Sequence, residues 1–190
     1  MKNFKLLILG ISIVIGSRYS SIYGVDLVKL GMFGAGFAAG TVFHELGHAA
    51  TGIAQGGSLE AFEFQGVGVD FGNIGADEKA AKMRIFALGG YAAQSLATEV
   101  IINQKDWHHN DFALGWMSLG IVVNLSNPIR YYVFGQKDND LGLYEKNGGN
   151  PAIPAALMVA HAGWTLYRIF NDTDIPLYIV NDALGITLKF

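Results

Sequence analysis

Long apolar runs separated by short polar segments dominate this chain. The run from Leu30 to Ala54 is long enough to cross a bilayer, since a membrane-spanning helix needs about 20 residues. Three further runs of similar length follow, at Met83 to Asn103, Phe112 to Phe134 and Ala152 to Phe170. The pattern predicts a mainly α-helical membrane protein, a polytopic bundle of about four to five spans.

The N-terminal segment allows two interpretations. Lys2 and Lys5 precede a short apolar run from Leu6 to Gly16, which suits the hydrophobic region of a signal peptide. The same run extended through Tyr23 would make an uncleaved signal anchor. Residues 1–23 therefore stay open between these two readings, and residues 1–190 are expected to form a single domain.

The pattern changes to strand-like alternation between Gly56 and Gly75. Apolar and polar residues alternate there in two short runs that meet at Gln65-Gly66, which predicts a small β-hairpin inserted after the second span. The tail from Ile175 to Phe190 holds two short apolar runs and predicts a small hairpin or a surface strand.

Composition agrees with a membrane protein. Charged residues make up 15% of the chain, against about 25% in a typical soluble domain, and the mean hydropathy is +0.31. The net charge of −3 and the absence of a basic patch argue against nucleic-acid binding. Because the chain has no cysteine, any metal must be held by His, Asp or Glu.

The second span carries the motif His44-Glu45-Leu46-Gly47-His48. In a helix this spacing places His44 and His48 one turn apart on one face, where both can bind a single Zn²⁺. Glu45 lies beside them as a candidate general base. Two histidines that only hydrogen-bond to neighbouring helices are the alternative, but polar groups in an apolar span are costly and favour a functional site.

The distribution of Lys and Arg predicts the orientation. With the N-terminus in the cytoplasm and five crossings, the inner side holds eight of these residues and the outer side five. We therefore expect an integral protein of the cell (inner) membrane with a cytoplasmic N-terminus.

A zinc site of this kind needs a third protein ligand. The candidates from the residues are Glu99, Asp138, Asp140 and His161. In the predicted topology the two histidines lie in the inner half of their span, and both aspartates follow the inner end of the fourth span. Glu99 would lie nearer the outer end of its span, at a different depth in the membrane from the histidines. Depth therefore favours an aspartate as the third ligand, and it does not distinguish Asp138 from Asp140.

These features together resemble the site-2 protease family of intramembrane zinc metalloproteases. The resemblance covers about Leu30 to Gly149 and rests on the His44 to His48 motif, the glycine-rich strands after it, the Asn124-Leu125-Ser126-Asn127-Pro128 segment and an Asp roughly 90 residues downstream. It implies a zinc-dependent endopeptidase that acts on membrane-anchored proteins or peptides. The hairpin would then offer an edge to which an unwound substrate adds as a strand.

The resemblance also implies a set of site residues. Zn²⁺ would be held by His44, His48 and an aspartate, and Glu45 would act as the general base. We prefer Asp140 to Asp138 because Asp140 directly precedes an apolar stretch and can cap a short helix there. Asn124 would orient the substrate backbone or serve as a polar contact between helices.

Three other functions fit the same residues. The first is a membrane peptidase of the gluzincin type with Glu99 or Glu78 as the third ligand. The second is a membrane metal-binding or assembly protein without enzymatic activity. The third is a structural membrane protein in which the motif occurs by chance. The sequence identifies neither the substrate nor the oligomeric state.

Overall fold

The computed structural model describes residues 27–63, 66–107, 110–172, 177–180 and 183–186. This part of the chain is mainly helical, as predicted. Its helices are α1 (Leu27–Ala54), α2 (Ala76–Ile102), α3 (Asp111–Tyr132), α4 (Asp140–Lys146) and α5 (Ala152–Asp172), with a short 3₁₀ turn at Lys105–Trp107. Its strands are β1 (Ser58–Glu63), β2 (Gly66–Asp70), β3 (Leu177–Val180) and β4 (Ala183–Ile186).

Three helices are long and apolar enough to cross a membrane, judged by length and composition. They are α1, α2 and α3. The last predicted span forms α5, which is not among those three, and the predicted segment in residues 1–23 lies outside the described residues. The described part of the chain therefore gives three candidate spans, and the expected four to five are not confirmed.

The predicted hairpin after the motif helix is confirmed. β1 and β2 pair antiparallel, from Ser58 opposite Asp70 to Glu63 opposite Gly66, with an irregularity between Leu59 and Ala61. Val69 of this hairpin packs against Gly52 near the end of α1. β3 and β4 also pair antiparallel, as expected for a small hairpin in the tail.

Glycines allow the three long helices to approach closely, as small residues do in membrane bundles. A Cβ on Gly36 would collide with the backbone of Phe112, so α1 and α3 touch at this point. About three turns further along α1, a Cβ on Gly47 would lie 2.6 Å from the Cβ of Ala93 and from the carbonyl oxygen of Gly89 in α2. The motif segment of α1 is therefore held directly against α2.

Two apolar clusters fill the bundle at different depths. One joins the end of α2 to the start of α3 and the end of α5, and it consists of Ile101, Ile102, Ala113, Leu114, Met117 and Ile169. The other joins α2, α3, α4 and α5, and it consists of Tyr91, Tyr131, Leu141, Ala155 and Met158. Leu141 is fully buried in the second cluster and fixes the short helix α4 against the bundle.

An ion pair and a cap shape the connection between α3 and α4. Asn139 caps α4, because its side chain accepts a hydrogen bond of 2.9 Å from the backbone N–H of Gly142. Lys137, before the helix, and Glu145, in its last turn, form an ion pair of 2.7 Å, and the hydrogen bond from Lys137 holds the pKa of the Glu145 carboxyl below its usual value. This connection sets the position of the first residue of α4, Asp140.

Candidate metal centre

Three side chains converge where α1, α2 and α4 meet. The Nε2 atoms of His44 and His48 lie 3.1 Å apart. The carboxylate of Asp140 lies 3.7 Å from Nε2 of His44 and 3.6 Å from Nε2 of His48. Within the described residues, this is the group of three or more His, Asp or Glu side chains that can hold a metal ion.

The two histidines are presented by one face of α1. Both are buried, with exposed fractions of 7% for His44 and 4% for His48. The Nδ1 atom of His48 lies 2.7 Å from the carbonyl oxygen of Phe86 in α2. A carbonyl can only accept, so Nδ1 is the protonated nitrogen, and in the neutral ring Nε2 keeps its lone pair for a metal.

Asp140 is the first residue of α4 rather than its cap. The cap is Asn139, one residue earlier, so the expectation that Asp140 itself caps the helix is wrong. Burial favours the neutral form of Asp140, but the contacts with His44 and His48 outweigh burial and hold the pKa of its carboxyl well below its usual range. The carboxylate is therefore ionised, which is the form that binds a metal.

Gly90 of α2 leaves space beside the histidines. A Cβ at this position would lie 2.6 Å from Nε2 of His44 and would also collide with Nε2 of His48. Cβ atoms essentially never come that close to other atoms, so only glycine leaves the two ligand nitrogens accessible from this side. The donor set and this opening both fit a metal ion bound between the histidines and Asp140.

Glu45 lies at the edge of the site and is half-buried. It interacts electrostatically with His44, His48 and Asp140. The structure therefore brings together all four residues that the sequence predicted, three as candidate ligands and one as a candidate base.

The other candidate ligands lie elsewhere and have partners of their own. Asp138 pairs with Arg130 at 3.2 Å and is largely exposed. Glu78 pairs with Lys82 one turn further along α2, at 3.1 Å. Glu99 lies nine residues beyond Gly90 on α2, which corresponds to about 13 Å along the helix axis. Because Gly90 is the residue of α2 that faces the histidines, Glu99 is too far along the helix to reach them.

Glu99 belongs to a second polar group, between α2, α3 and α5. Its carboxylate lies 3.2 Å from Nε2 of His161 and 3.8 Å from Nη1 of Arg168. Nδ1 of His161 lies 3.1 Å from the side-chain amide nitrogen of Asn124. His161 thus contacts α2 and α3. Asn124 makes a polar contact between α3 and α5, which is one of the two roles expected for it.

Three contributors to the site carry no recognisable signal in the sequence. The carbonyl of Phe86 orients His48, Gly90 gives the ligands space, and Tyr91 packs edge-on against His44 with ring centroids 5.0 Å apart. The segment Leu88 to Ala93 is rich in small residues. Nothing in the sequence indicates that this segment faces the histidines, because the contact depends on how α1 and α2 cross.

Comparison with family models finds no match for this chain, and searches of curated proteins and of solved structures find none either. The function is therefore inferred from the residues and their geometry.

Proposed function

We propose that this protein is a zinc-dependent, membrane-embedded endopeptidase that resembles site-2 proteases. The observation that carries the proposal is the convergence of His44, His48 and Asp140 with Glu45 at their edge. Asp140 comes from a part of the chain about 90 residues from the histidines, so folding brings the third donor to a helical pair that is already spaced for a metal.

The donor geometry supports zinc as the metal. Four ligands at about 2.1 Å from a tetrahedral ion lie about 3.4 Å from one another. The two Nε2 atoms lie 3.1 Å apart, and each lies 3.6–3.7 Å from a different oxygen of Asp140, so the separations bracket this value. Two imidazoles and one carboxylate are a common donor set for catalytic zinc, and three protein ligands leave one position for water or substrate.

The proposed reaction is hydrolysis of a peptide bond. Zinc, when bound, supplies a Lewis acid that polarises the carbonyl and lowers the pKa of water. Glu45 takes the proton of the attacking water and passes it to the nitrogen of the leaving amine. His48 keeps its ligand nitrogen directed at the site because Phe86 holds the opposite nitrogen.

The surroundings of the site support a membrane-anchored protein or peptide as substrate. The histidines lie on α1, and α1 is one of the three helices able to cross a membrane. A helical substrate has to unwind first, because helix hydrogen bonds engage its carbonyls. β1 is exposed along its whole length and lies next to the end of α1, so its edge is available to an extended substrate. We place the protein in the cell (inner) membrane with its N-terminus in the cytoplasm.

The test uses the full-length protein purified in detergent. Zinc content is measured by mass spectrometry, and cleavage is followed with fluorescently labelled casein and with a reporter that has one membrane-spanning helix. We expect Glu45→Gln to keep its zinc and to lose cleavage by about 10²–10⁴-fold, the usual contribution of a general base. Glu78→Gln is the matched control, because Glu78 forms an exposed pair with Lys82 away from the site.

Three results would contradict the proposal. Wild-type protein without stoichiometric zinc would favour a structural membrane protein. Wild-type protein that holds zinc but cleaves neither substrate, together with a Glu45→Gln variant that functions normally in cells, would favour a metal-binding or assembly role. Loss of zinc in Glu78→Gln or Glu99→Gln, with retention in Asp140→Asn, would favour the gluzincin alternative.

A further inference from the structure

Tyr91 has a buried hydroxyl group next to the candidate metal centre. The side chain is 5% exposed and its ring contacts His44 edge-on. Among the described residues its hydroxyl has no hydrogen bond of standard geometry. A buried phenol without a partner is costly, and tyrosines in such positions usually find an acceptor.

Two polar groups lie within reach of this hydroxyl. Tyr91 interacts with the carboxylate of Asp140 and with the side chain of Asn127 in α3. A hydroxyl both donates and accepts, so it can receive a hydrogen bond from the Asn127 amide while it donates to Asp140. Asp140 is the stronger acceptor, because hydrogen bonds to an ionised group are roughly twice as strong as neutral ones.

Asn127 also forms a hydrogen bond with Asn139, the residue before Asp140. The side-chain amide of Asn139 donates to the backbone carbonyl of Asn127 at 3.4 Å. Asn139 is also the cap of α4, and it directly precedes Asp140. Tyr91 and Asn127 are thus linked to Asp140 and to its neighbour Asn139 by polar contacts.

We propose that Tyr91 is a positioning residue that donates a hydrogen bond to Asp140 and holds its carboxylate in the orientation for metal binding. The inference rests on the zinc site of the proposed function. Each of the two carboxylate oxygens faces one histidine, and because a carboxylate offers about four lone-pair sites, it can bind the metal and still accept a hydrogen bond from Tyr91. Partners of this kind usually change metal affinity by 10–100-fold when they are removed.

The test is Tyr91→Phe in the full-length protein in detergent, with zinc affinity measured by competition against a chromophoric chelator. The variant keeps the ring against His44 and loses only the hydroxyl. We expect zinc binding to weaken by about 10–100-fold and the visible spectrum of the cobalt-substituted protein to change, because the carboxylate is free to reorient. Tyr167→Phe is the control, since Tyr167 lies on α5, is 56% exposed and stacks on Trp164 away from Asp140.

A double-mutant cycle separates positioning from general packing. If Tyr91 acts through Asp140, Tyr91→Phe has no further effect on zinc affinity in an Asp140→Asn background. An equal loss in both backgrounds, or wild-type affinity and cobalt spectrum in Tyr91→Phe, would show that the proposal is wrong while the zinc site stands. Absence of zinc binding in the wild-type protein would instead overturn the proposed function, and this inference with it.

Discussion

Gly90 shows how much a single missing side chain matters at this site. Its Cα lies so close to the ligand nitrogens of His44 and His48 that a Cβ at this position would collide with both. In an ordinary helix, replacing glycine with alanine is favourable by about 1 kcal/mol. At this position helix propensity favours alanine, whereas the close contact with the ligand nitrogens requires glycine.

We expect Gly90→Ala to weaken zinc binding by about 10–100-fold, because the new methyl group displaces the ligand nitrogens. Chelator competition measures this effect. Gly34→Ala in α1 is the control, since a Cβ at Gly34 meets nothing within 4 Å. Equal affinities of Gly90→Ala and wild-type protein would show that the space beside the histidines is not needed.

At the scale of elements, the short helix α4 has the greatest effect on the site. It contributes one ligand, and it is anchored by Leu141 in the core and by the Lys137–Glu145 pair at the surface. Gly142 also lets the preceding segment pack closely against α4, because a Cβ there would collide with the backbone of Lys137. A helix of this length forms only with such tertiary support.

Loss of the α4 cap should weaken both the helix and the metal site. Asn139→Ala removes the hydrogen bond to the N–H of Gly142, which costs about 1 kcal/mol. We expect a lower free energy of unfolding in the metal-free protein and weaker zinc binding, measured by thermal unfolding and by titration. Asn139→Ser can still cap the helix, so it should recover most of both losses; failure to recover would assign the effect to the Asn127 contact instead.

α5 joins the bundle differently from the three apolar helices. It contacts α3 and α2 through Met158 and Ile169 in the apolar clusters, and through His161 and Arg168 in the polar group around Glu99. Breaking an ion pair of this kind by removing one partner usually destabilises a fold. Glu99 therefore has a structural explanation that does not involve a metal.

At the scale of the whole molecule, the metal would connect segments that are far apart in the chain. Its ligands come from α1 and from α4, with α2 packed between them. A ligand that binds only the folded protein stabilises it by mass action, by about 2.7 kcal/mol at a concentration of 100 times its Kd. Binding of zinc should therefore stabilise the bundle and not only the site.

We expect removal of zinc with a chelator to lower the Tm of the protein in detergent by about 5–10 °C, given its size. Differential scanning measures the shift. Asp140→Asn should show little shift because it lacks a ligand, whereas Asp138→Asn should show the full shift because Asp138 pairs with Arg130. The opposite order would assign the third ligand to Asp138.

The sequence by itself determined the features that depend on local periodicity. The apolar runs predicted the helices, the alternation after Gly56 predicted the hairpin, and the spacing of His44 and His48 placed two ligands on one helix face. Each of these follows from 3.6 residues per helical turn or two per strand repeat, so each can be obtained from neighbours in the chain.

Only the tertiary structure decided which distant residues complete the site. Asp138 and Asp140 are two residues apart, and the cap at Asn139 and the burial of Leu141 direct Asp140 to the histidines while Asp138 faces Arg130. The contributions of Gly90 and Tyr91 likewise depend on how α2 crosses α1 and α4. Such contacts between helices have no local periodicity, because they are set by the packing of the whole bundle.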